Sequence, residues 1–445
     1  MKINERDARA SGHGVMKRIR LGAINRLAQG LFLLLTISTS SSVNAQETGH
    51  APLLLHAARV FDGNDIRTNT SVLVINGRVA RIDTRESFKP SNAKVIDLGD
   101  ATILPGFIEL HAHLTFQHVP ADTVLKHGIT TIRDVGGPVH KPYGGDGSLR
   151  VLTSGPIITA PNGYPIPMLG DTNIAMAVST EKEARATVRD LIDRGAVVIK
   201  VALEPGGEAG APWSSSHGHG HGPGHQDQPA AEHAHTNHKP VYNASHSKQA
   251  WPLLPENIVK AIVDEAHKNN HQVTAHLAEA RGAQIAINAG VDEWAHMPCD
   301  IIPESLLKKA VAQNVKIVTT LDTLAKCSGV AHNASTWTAL GGELLYGAEV
   351  AHPDIPWGID AQELIYMMQM AKLGVMDVLR AATSKAGRHL NLPLLGTLQR
   401  DAPADIIAVK GDPTHSLKIL EYPDLVISGG KIVVNNFGNQ QRVSP

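Results

Sequence analysis

Two histidines close the apolar segment Leu104–Leu114, which reads LPGFIELHAHL. Side chains alternate between the two faces of a strand, so His111 and His113 would point in the same direction. Neutral imidazole is the commonest side-chain metal ligand, and two imidazoles aimed at one point make half a metal site. The spacing alone is a weak indicator, because the chain has 24 histidines and further His-x-His pairs such as His217 and His219. The position of this pair at the end of a buried strand sets it apart.

Four more side chains that could bind metal or transfer protons lie within or at the ends of later apolar segments. They are Lys200 in AVVIKVAL, His276 at the end of TAH, His296 at the end of EWAH and Glu349 at the end of YGAE. Lysine is rarely buried without a partner. Each residue alone has an ordinary structural explanation, such as a hydrogen-bonded strand end. Their recurrence on one strand after another instead predicts a shared site.

These residues need a scaffold that gathers strand ends, and the central sequence alternates strand-like with helix-like segments. Such alternation is typical of a parallel sheet covered by helices. Eight strands with helical crossovers predict an α/β fold, a (β/α)8 TIM-like barrel whose catalytic residues lie at the C-terminal strand ends. The predicted strands are Ile103–His113, Thr130–Val135, Val151–Thr159, Ala196–Leu203, Gln272–His276, Asp292–His296, Val315–Thr320 and Leu344–Glu349. The predicted helices are Glu181–Arg194, Pro255–Asn269, Ala280–Ala289, Pro303–Gln313 and a last helical region, Ala361–Leu390.

Both ends of the chain lie outside this barrel. We predict that residues 46–104 and 397–445 pair into one small β-sandwich beside a barrel formed by residues 105–396. Residues 1–45 have the features of a secretory signal peptide, with arginines before the short apolar run Leu31–Ile37 and a cleavage site at Val43-Asn44-Ala45. That run is too short to span a bilayer as a helix. We therefore expect a secreted, periplasmic protein without membrane contact after the signal is removed.

The motifs resemble those of the amidohydrolase superfamily of metal-dependent hydrolases, and within it the imidazolonepropionase-like and exported dipeptidase-like branch. They are LPGFIELHAHL, GITTIRDVGG, VIKV, VTAHLAEA, DEWAHMPCD, LRAATSKAGRHL and GTLQRDAPADIIAV. The resemblance implies two divalent metal ions, usually zinc. It implies that His111 and His113 bind one ion and that His276 and His296 bind the other. It also implies that Lys200 is carboxylated by CO₂ and bridges the pair.

A bridging carbamate has a physical rationale. Two dications about 3.5 Å apart repel by roughly 19 kcal/mol at an effective dielectric constant near 20, so they need anions between them. A carbamate on Lys200 supplies one anion, and hydroxide, formed because a metal lowers the pKa of water, supplies the second. The resemblance implies that this hydroxide hydrolyses a C–N bond in a small-molecule amide, cyclic amide or dipeptide. A carboxylate on the eighth strand would pass the proton to the leaving nitrogen.

The eighth strand departs from the family pattern, because Gly347-Ala348-Glu349 stands where the family usually has Gly-Thr-Asp. The extra methylene of Glu349 shifts the carboxylate, and a misplacement of about 1 Å can cost on the order of a hundredfold in rate. Three hypotheses stay open. Glu349 acts as the metal ligand and proton carrier; Asp354 or Asp360 replaces it; or the site binds metal and catalyses poorly.

Two other functions stay open besides that of an amidohydrolase. One is a mononuclear deaminase, against which Lys200 argues, since a bridging carbamate has little purpose with one ion. The other is a non-enzymatic or weakly active periplasmic metal-binding protein, favoured by Glu349 and by the His-rich insert described below. The formal net charge of −1 gives no basic footprint for nucleic acid. A small-molecule substrate is the expected partner, and whether the chain forms a homo-oligomer stays open.

Five residues outside the main set are weaker candidates. Arg133 could hold a substrate carboxylate or form a structural ion pair with Asp134 or a loop. Tyr164 and Trp357 could line the pocket or pack the loops. Cys299 and Cys327 follow neighbouring strands, and in an oxidising compartment a disulfide could join them.

Residues 204–250 form an insert after the fourth strand, rich in Gly, Pro, Ser and His. Such a composition cannot bury enough apolar surface to fold alone. The insert either captures metal near the site or is a solvated loop with no role beyond its length.

Deleting residues 213–246 distinguishes these two alternatives for the insert. If the insert captures metal, the shortened protein should load less metal in competition with a chelator, because the local ligand concentration falls. Elemental analysis of both proteins after matched chelator treatment measures the difference. Equal loading would exclude the capture hypothesis.

Overall fold

The computed structural model describes residues 51–89, 92–206 and 250–437. The predicted signal peptide and residues 207–249 of the His-rich insert lie outside this described part. Across the described segments, helices fall short of the length and hydropathy that a membrane span requires.

The strands follow the chain from Leu53 to Asn435. They are β1 (Leu53–Phe61), β2 (Ile66–Ile75), β3 (Arg78–Thr84), β4 (Lys94–Asp97), β5 (Ala101–Pro105), β6 (Phe107–Ala112), β7 (Ile129–Asp134), β8 (Arg150–Thr153), β9 (Ile157–Thr159), β10 (Ala175–Ala177), β11 (Val198–Ala202), β12 (Gln272–His276), β13 (Glu293–Trp294), β14 (Lys316–Val318), β15 (Glu343–Leu345), β16 (Ile406–Lys410), β17 (Leu425–Ser428) and β18 (Lys431–Asn435).

The helices lie mainly between the central strands and after them. They are α1 (Ala121–Lys126), α2 (Ile166–Leu169), α3 (Glu181–Arg194), α4 (Glu256–Lys268), α5 (Ala280–Ala289), α6 (Glu304–Ala312), α7 (Val330–Ala339), α8 (Ala361–Gln369), α9 (Val375–Ala381) and α10 (Ser384–His389). Short 3₁₀ helices span Arg85–Ser87 and Leu417–Glu421.

Strands from both ends of the chain share one sheet. Its order is β18-β17-β16-β5-β1-β2-β3, with β4 on β1, and the antiparallel β5–β16 pair joins the two ends. An apolar cluster that includes Leu55, Val72 and Ile406 packs within this part of the molecule. The two ends therefore meet, but they do so in a single hydrogen-bonded sheet. The predicted two-layer β-sandwich is not confirmed.

The central strands are parallel and lie in two sheets, β6-β7-β8 and β10-β9-β11-β12-β13-β14-β15. Their hydrogen-bonded ladders do not close into the predicted continuous barrel. Backbone hydrogen bonds also connect the two sheets. One runs from Val197 N, just before β11, to Thr153 O in β8 (2.9 Å), and another from His113 N, just after β6, to Val350 O (3.0 Å). The parallel α/β architecture was predicted, and the continuous closure was not found.

Two of the predicted strands are each divided in the structure. The predicted Ile103–His113 strand breaks at Gly106, between β5 of the end sheet and β6 of the central part. A Cβ atom on Gly106 would lie 2.2 Å from the Thr130 side chain, so the chain passes too close there for any other residue. The predicted Val151–Thr159 strand breaks at Gly155, whose φ of +70° is not a strand conformation.

The predicted helix bounds agree best with the structure where a side chain caps the start of the helix. The bounds of α3 and α5 match the prediction, and α3 begins with a capping box between Thr180 and Glu183. Helices α4 and α6 are each one residue shorter at both ends than predicted. Helix α7 was missed, and no side-chain cap marks its start at Gly329. The predicted helical region Ala361–Leu390 is three helices, α8 to α10.

A buried ion cluster ties β7 to β13 and α10. Arg133 donates to Glu293 at 2.6 Å and to Leu110 O at 2.8 Å, and His389 contacts the second oxygen of Glu293. Burial alone would raise the pKa of Glu293, but Arg133 and His389 outweigh it and hold the pKa at about 2. Arg133 thus forms a structural ion pair, with Glu293 rather than with Asp134.

Glu293→Gln should destabilise the fold by about 3 kcal/mol near pH 6, because it leaves the Arg133 charge buried and uncompensated. The folded pKa lies below the ordinary value of 4.5, so the stabilisation is present above about pH 4.5 and is lost as the pH falls towards about 2. Urea unfolding should therefore show a smaller difference between variant and parent near pH 3. The exposed Glu304→Gln is the matched control, and a difference independent of pH would contradict the assignment.

Candidate metal centre

His111 lies one residue before the end of β6, and each of its ring nitrogens has a polar partner. Its Nδ1 donates to Ala295 O at 2.7 Å, so the lone pair of the neutral ring is on Nε2. The Lys200 Nζ, brought by β11, lies 3.2 Å from that Nε2. Both side chains are about 1% exposed. A fixed Nδ1–H that leaves Nε2 as the electron-pair donor is the arrangement found in metal-binding histidines.

The remaining histidines stand against this pair. The His296 ring, after β13, lies 4.3 Å from the His111 ring and 4.7 Å from the His276 ring at the end of β12. The His113 ring lies 5.1 Å from that of His111. Four imidazoles from three strand ends thus meet, as the sequence predicts.

Glu349 lies four residues beyond the end of β15 and completes the group. Its Oε1 is 3.5 Å from His113 Nε2, and its Oε2 is 3.9 Å from His296 Nδ1. One ligand atom each from His111, His296 and Glu349 fall within 4.8 Å of one another. Glu349 has a φ of +66°, a left-handed conformation that costs a residue with a side chain about 1–3 kcal/mol.

The protonation states fit a metal site. Burial lowers the pKa of His113 to about 4 and holds the pKa values of His111 and His296 well below the usual range. Burial would raise the pKa of Glu349, but His296, His113 and His352 outweigh it and keep that pKa low. Neutral imidazoles beside an ionised carboxylate are the donor set that divalent zinc prefers. In addition, His113 Nδ1 is buried with no hydrogen-bond partner among the described residues.

These groups, with the exception of His111, line a cavity at the carboxyl end of the central strands. The cavity volume is about 40 Å³, so the cavity is narrow. The lining residues from the predicted set are His113, Lys200, His276, His296, Glu349 and Tyr164.

The alternative carboxylates do not join the cluster. Asp360 caps α8 by accepting from Gln362 N at 2.9 Å, and neither Asp360 nor Asp354 lines the cavity. Trp357 also lies away from the site, at a separate surface cavity with His127 and Tyr422. The Tyr164 ring, by contrast, stacks on that of His276 with centroids 4.4 Å apart.

His352 lines the cavity and was missed by the sequence analysis. It is 7% exposed, and its backbone N donates to Glu349 O at 2.9 Å. The available signal was its position three residues after Glu349, in the loop that follows the eighth predicted strand.

A disulfide joins Cys299 to Cys327, with the Cα atoms 5.0 Å apart. It links the segments that follow β13 and β14, close in sequence to His296. Asn333 supports the same region by donating to Pro298 O at 2.9 Å and to Asp300 O at 2.8 Å. The disulfide considered from sequence is therefore present.

Comparison with known families gives a match to the Amidohydrolase family over residues 102–433. The chain belongs to this family. The ochratoxinase of Aspergillus niger is 26% identical over 197 residues, which cover 40% of this chain and 41% of that protein. The aligned part thus spans about two fifths of this curated relative.

Solved structures share the amidohydrolase fold. The crystal structure of A. niger ochratoxinase has a TM-score of 0.66 at 18% identity and covers 88% of this chain and 98% of that one. A Xaa-Pro dipeptidase with bound methionine has a TM-score of 0.66 at 20% identity, covering 86% and 99%. Molinate hydrolase has a TM-score of 0.65 at 15% identity, covering 89% and 97%. At these identities the likeness concerns the fold alone.

The metal content of a protein lacking residues 213–246 tests the cluster directly. Removing that segment prevents its histidines from adding to the count. We expect about two equivalents per chain, and Lys200→Ala should lower the count by at least about one, because an anion between the ions is lost. Elemental analysis gives both values, and the exposed Lys308→Ala is the control. Unchanged metal in the Lys200 variant would remove lysine from the ligand set.

Proposed function

We propose that the protein is a metal-dependent amidohydrolase that cleaves a C–N bond of a small amide, cyclic amide or dipeptide. The observation that carries the proposal is the cluster of His111, His296 and Glu349, whose ligand atoms lie within 4.8 Å of one another. His296 and Glu349 also line the cavity. Membership of the Amidohydrolase family supports hydrolysis of this bond class.

The described residues suit two divalent ions, for which we propose zinc. His111 and His113 would hold one ion, His276 and His296 the other, and a carbamate on Lys200 would bridge them. When bound, such ions act as Lewis acids towards a carbonyl and lower the pKa of water. Carbamate formation converts the Lys200 amine and CO₂ into an anion with release of a proton. Support for the carbamate comes from the position of Lys200 Nζ, which is buried 3.2 Å from His111 Nε2.

Glu349 is the proposed proton carrier. Its side chain lines the cavity, and its low pKa keeps it ionised at neutral pH, which is the form that accepts a proton. Once protonated, the carboxyl group would pass the proton to the leaving nitrogen. The left-handed backbone at Glu349 redirects the longer side chain and so supports its use in place of the family aspartate.

A mononuclear deaminase is the second candidate. It is favoured by the three donor atoms of His111, His296 and Glu349, which form one cluster among the described residues and could hold a single ion. Ammonia release without amine release would identify it. We also propose export to the periplasm from the signal-like residues 1–45.

Glu349→Ala should lower amide hydrolysis by about 10²–10⁴-fold, because the proton carrier is lost. Metal content should be largely retained, since the histidines remain. Amine release from a panel of amides and dipeptides measures activity, and elemental analysis measures metal. Exposed Glu304→Ala is the control. Undiminished activity in Glu349→Ala would exclude this role for Glu349.

A further inference from the structure

The residues that line the cavity are of two kinds. The ionisable groups described above are one kind. The other kind, here called the apolar wall, comprises the apolar and aromatic side chains Phe116, Ile157, Tyr164, Leu169 and Pro353; the lining also includes Gln117, Pro165 and Ala351. The five side chains of the wall line the cavity and are not among the proposed metal ligands, so a substrate in the cavity would contact them.

Ring stacking fixes the wall against the candidate ligands. The Phe116 ring lies 4.8 Å from that of His113, and the Tyr164 ring lies 4.4 Å from that of His276 at an interplanar angle of 17°. The Trp251 ring stands 5.5 Å from the ring of Tyr164. The wall therefore begins directly beside the proposed reaction centre, and a group bonded to the scissile carbon or nitrogen would reach it.

The backbone holds the wall in place. A Cβ atom on Gly163 would lie 2.7 Å from Thr159 Oγ1 and 2.8 Å from Pro252 O, so this segment is tightly packed just before Tyr164. Leu169 ends the short helix α2, whose carbonyl at Ile166 accepts from Gly170 N at 2.9 Å. The wall is thus a formed surface of the described chain.

The chemistry of the wall selects against charge. Of its five side chains, Tyr164 alone has a polar atom, and none is cationic. A carboxylate or ammonium pressed against this surface would lose hydration with little compensation. An aryl or branched aliphatic group gains from the same contact.

We propose that the substrate bears an uncharged apolar group, aryl or branched aliphatic, directly beside the scissile C–N bond. The preferred substrates are then neutral amides of apolar amines, and free dipeptides are poor ones. This inference rests on the proposed amidohydrolase function and names the substrate class of the same site.

Matched pairs of amides test the inference. N-acetylphenethylamine differs from N-acetylphenylalanine, and N-isopentylacetamide from N-acetylleucine, only by the carboxylate beside the scissile nitrogen. We expect the full-length, metal-loaded protein to release amine from each neutral member with kcat/KM at least about tenfold higher, since one methylene in an apolar pocket already changes it about 10–200-fold.

A charge placed in the wall should reverse part of this preference. Leu169→Lys should lower the neutral-to-carboxylate ratio of kcat/KM by at least about tenfold, because the ammonium pairs with the carboxylate. Met168→Lys adds the same charge one residue away, outside the cavity lining, and should leave the ratio unchanged.

A binding measurement separates the wall from catalysis. Ligand-observed NMR on metal-stripped protein should show benzyl alcohol binding more tightly than benzoate, and Leu169→Lys should remove that preference. Equal or faster hydrolysis of the carboxylate members would overturn this inference and leave the amidohydrolase function intact. Failure to hydrolyse any member of either pair, or any amide of the broader panel, would overturn the function and this inference with it.

Discussion

The structure depends on bringing several ionisable side chains to one buried point. His111, His296 and Lys200 are each at most 3% exposed, and a set of buried cations there would repel strongly. The depressed histidine pKa values solve part of this problem by keeping the rings neutral. The carboxylate of Glu349 supplies the opposing charge. Neutral histidines beside one carboxylate limit the repulsion within the buried cluster, and the same protonation states allow these side chains to bind a metal ion.

A second buried carboxyl holds the two sides of this cluster together. Glu109 accepts from His111 N at 2.7 Å and from Ala348 N at 2.9 Å, joining β6 to the segment that carries Glu349. Burial raises the pKa of Glu109 to about 8. Gly347 lets the segments approach, because a Cβ atom there would lie 2.3 Å from Val318 and 3.2 Å from His111 Cβ. Glu109 and Gly347 do not line the cavity, yet they determine how the segment that carries Glu349 lies against β6.

The sequence predicted the parts of the molecule whose signals are local. The alternation of strand-like and helix-like segments placed His276 at the end of β12 and gave the bounds of α3. Non-local contacts were harder to predict. The break at Gly106 follows from the approach of Thr130, and the role of Arg133 follows from Glu293, 160 residues away. Sheet closure and the single end sheet depend on pairings between distant strands, which periodicity does not encode. His352 was missed because its signal, a position three residues after Glu349, lies in a loop, where the alternation of strand residues does not apply.

Glu349 stands where the family usually has aspartate, and its backbone conformation is as unusual as its residue type. Replacing aspartate by glutamate alone would push the carboxylate about one bond length farther into a narrow cavity. In this chain the residue also adopts a left-handed conformation, and His352 N closes the turn by donating to its carbonyl at 2.9 Å. A strained conformation persists only where the surrounding contacts determine it. The turn and the Glu109 bridge on the other side of Glu349 are two such contacts. The backbone that carries the Glu349 carboxylate is therefore held by hydrogen bonds on both sides.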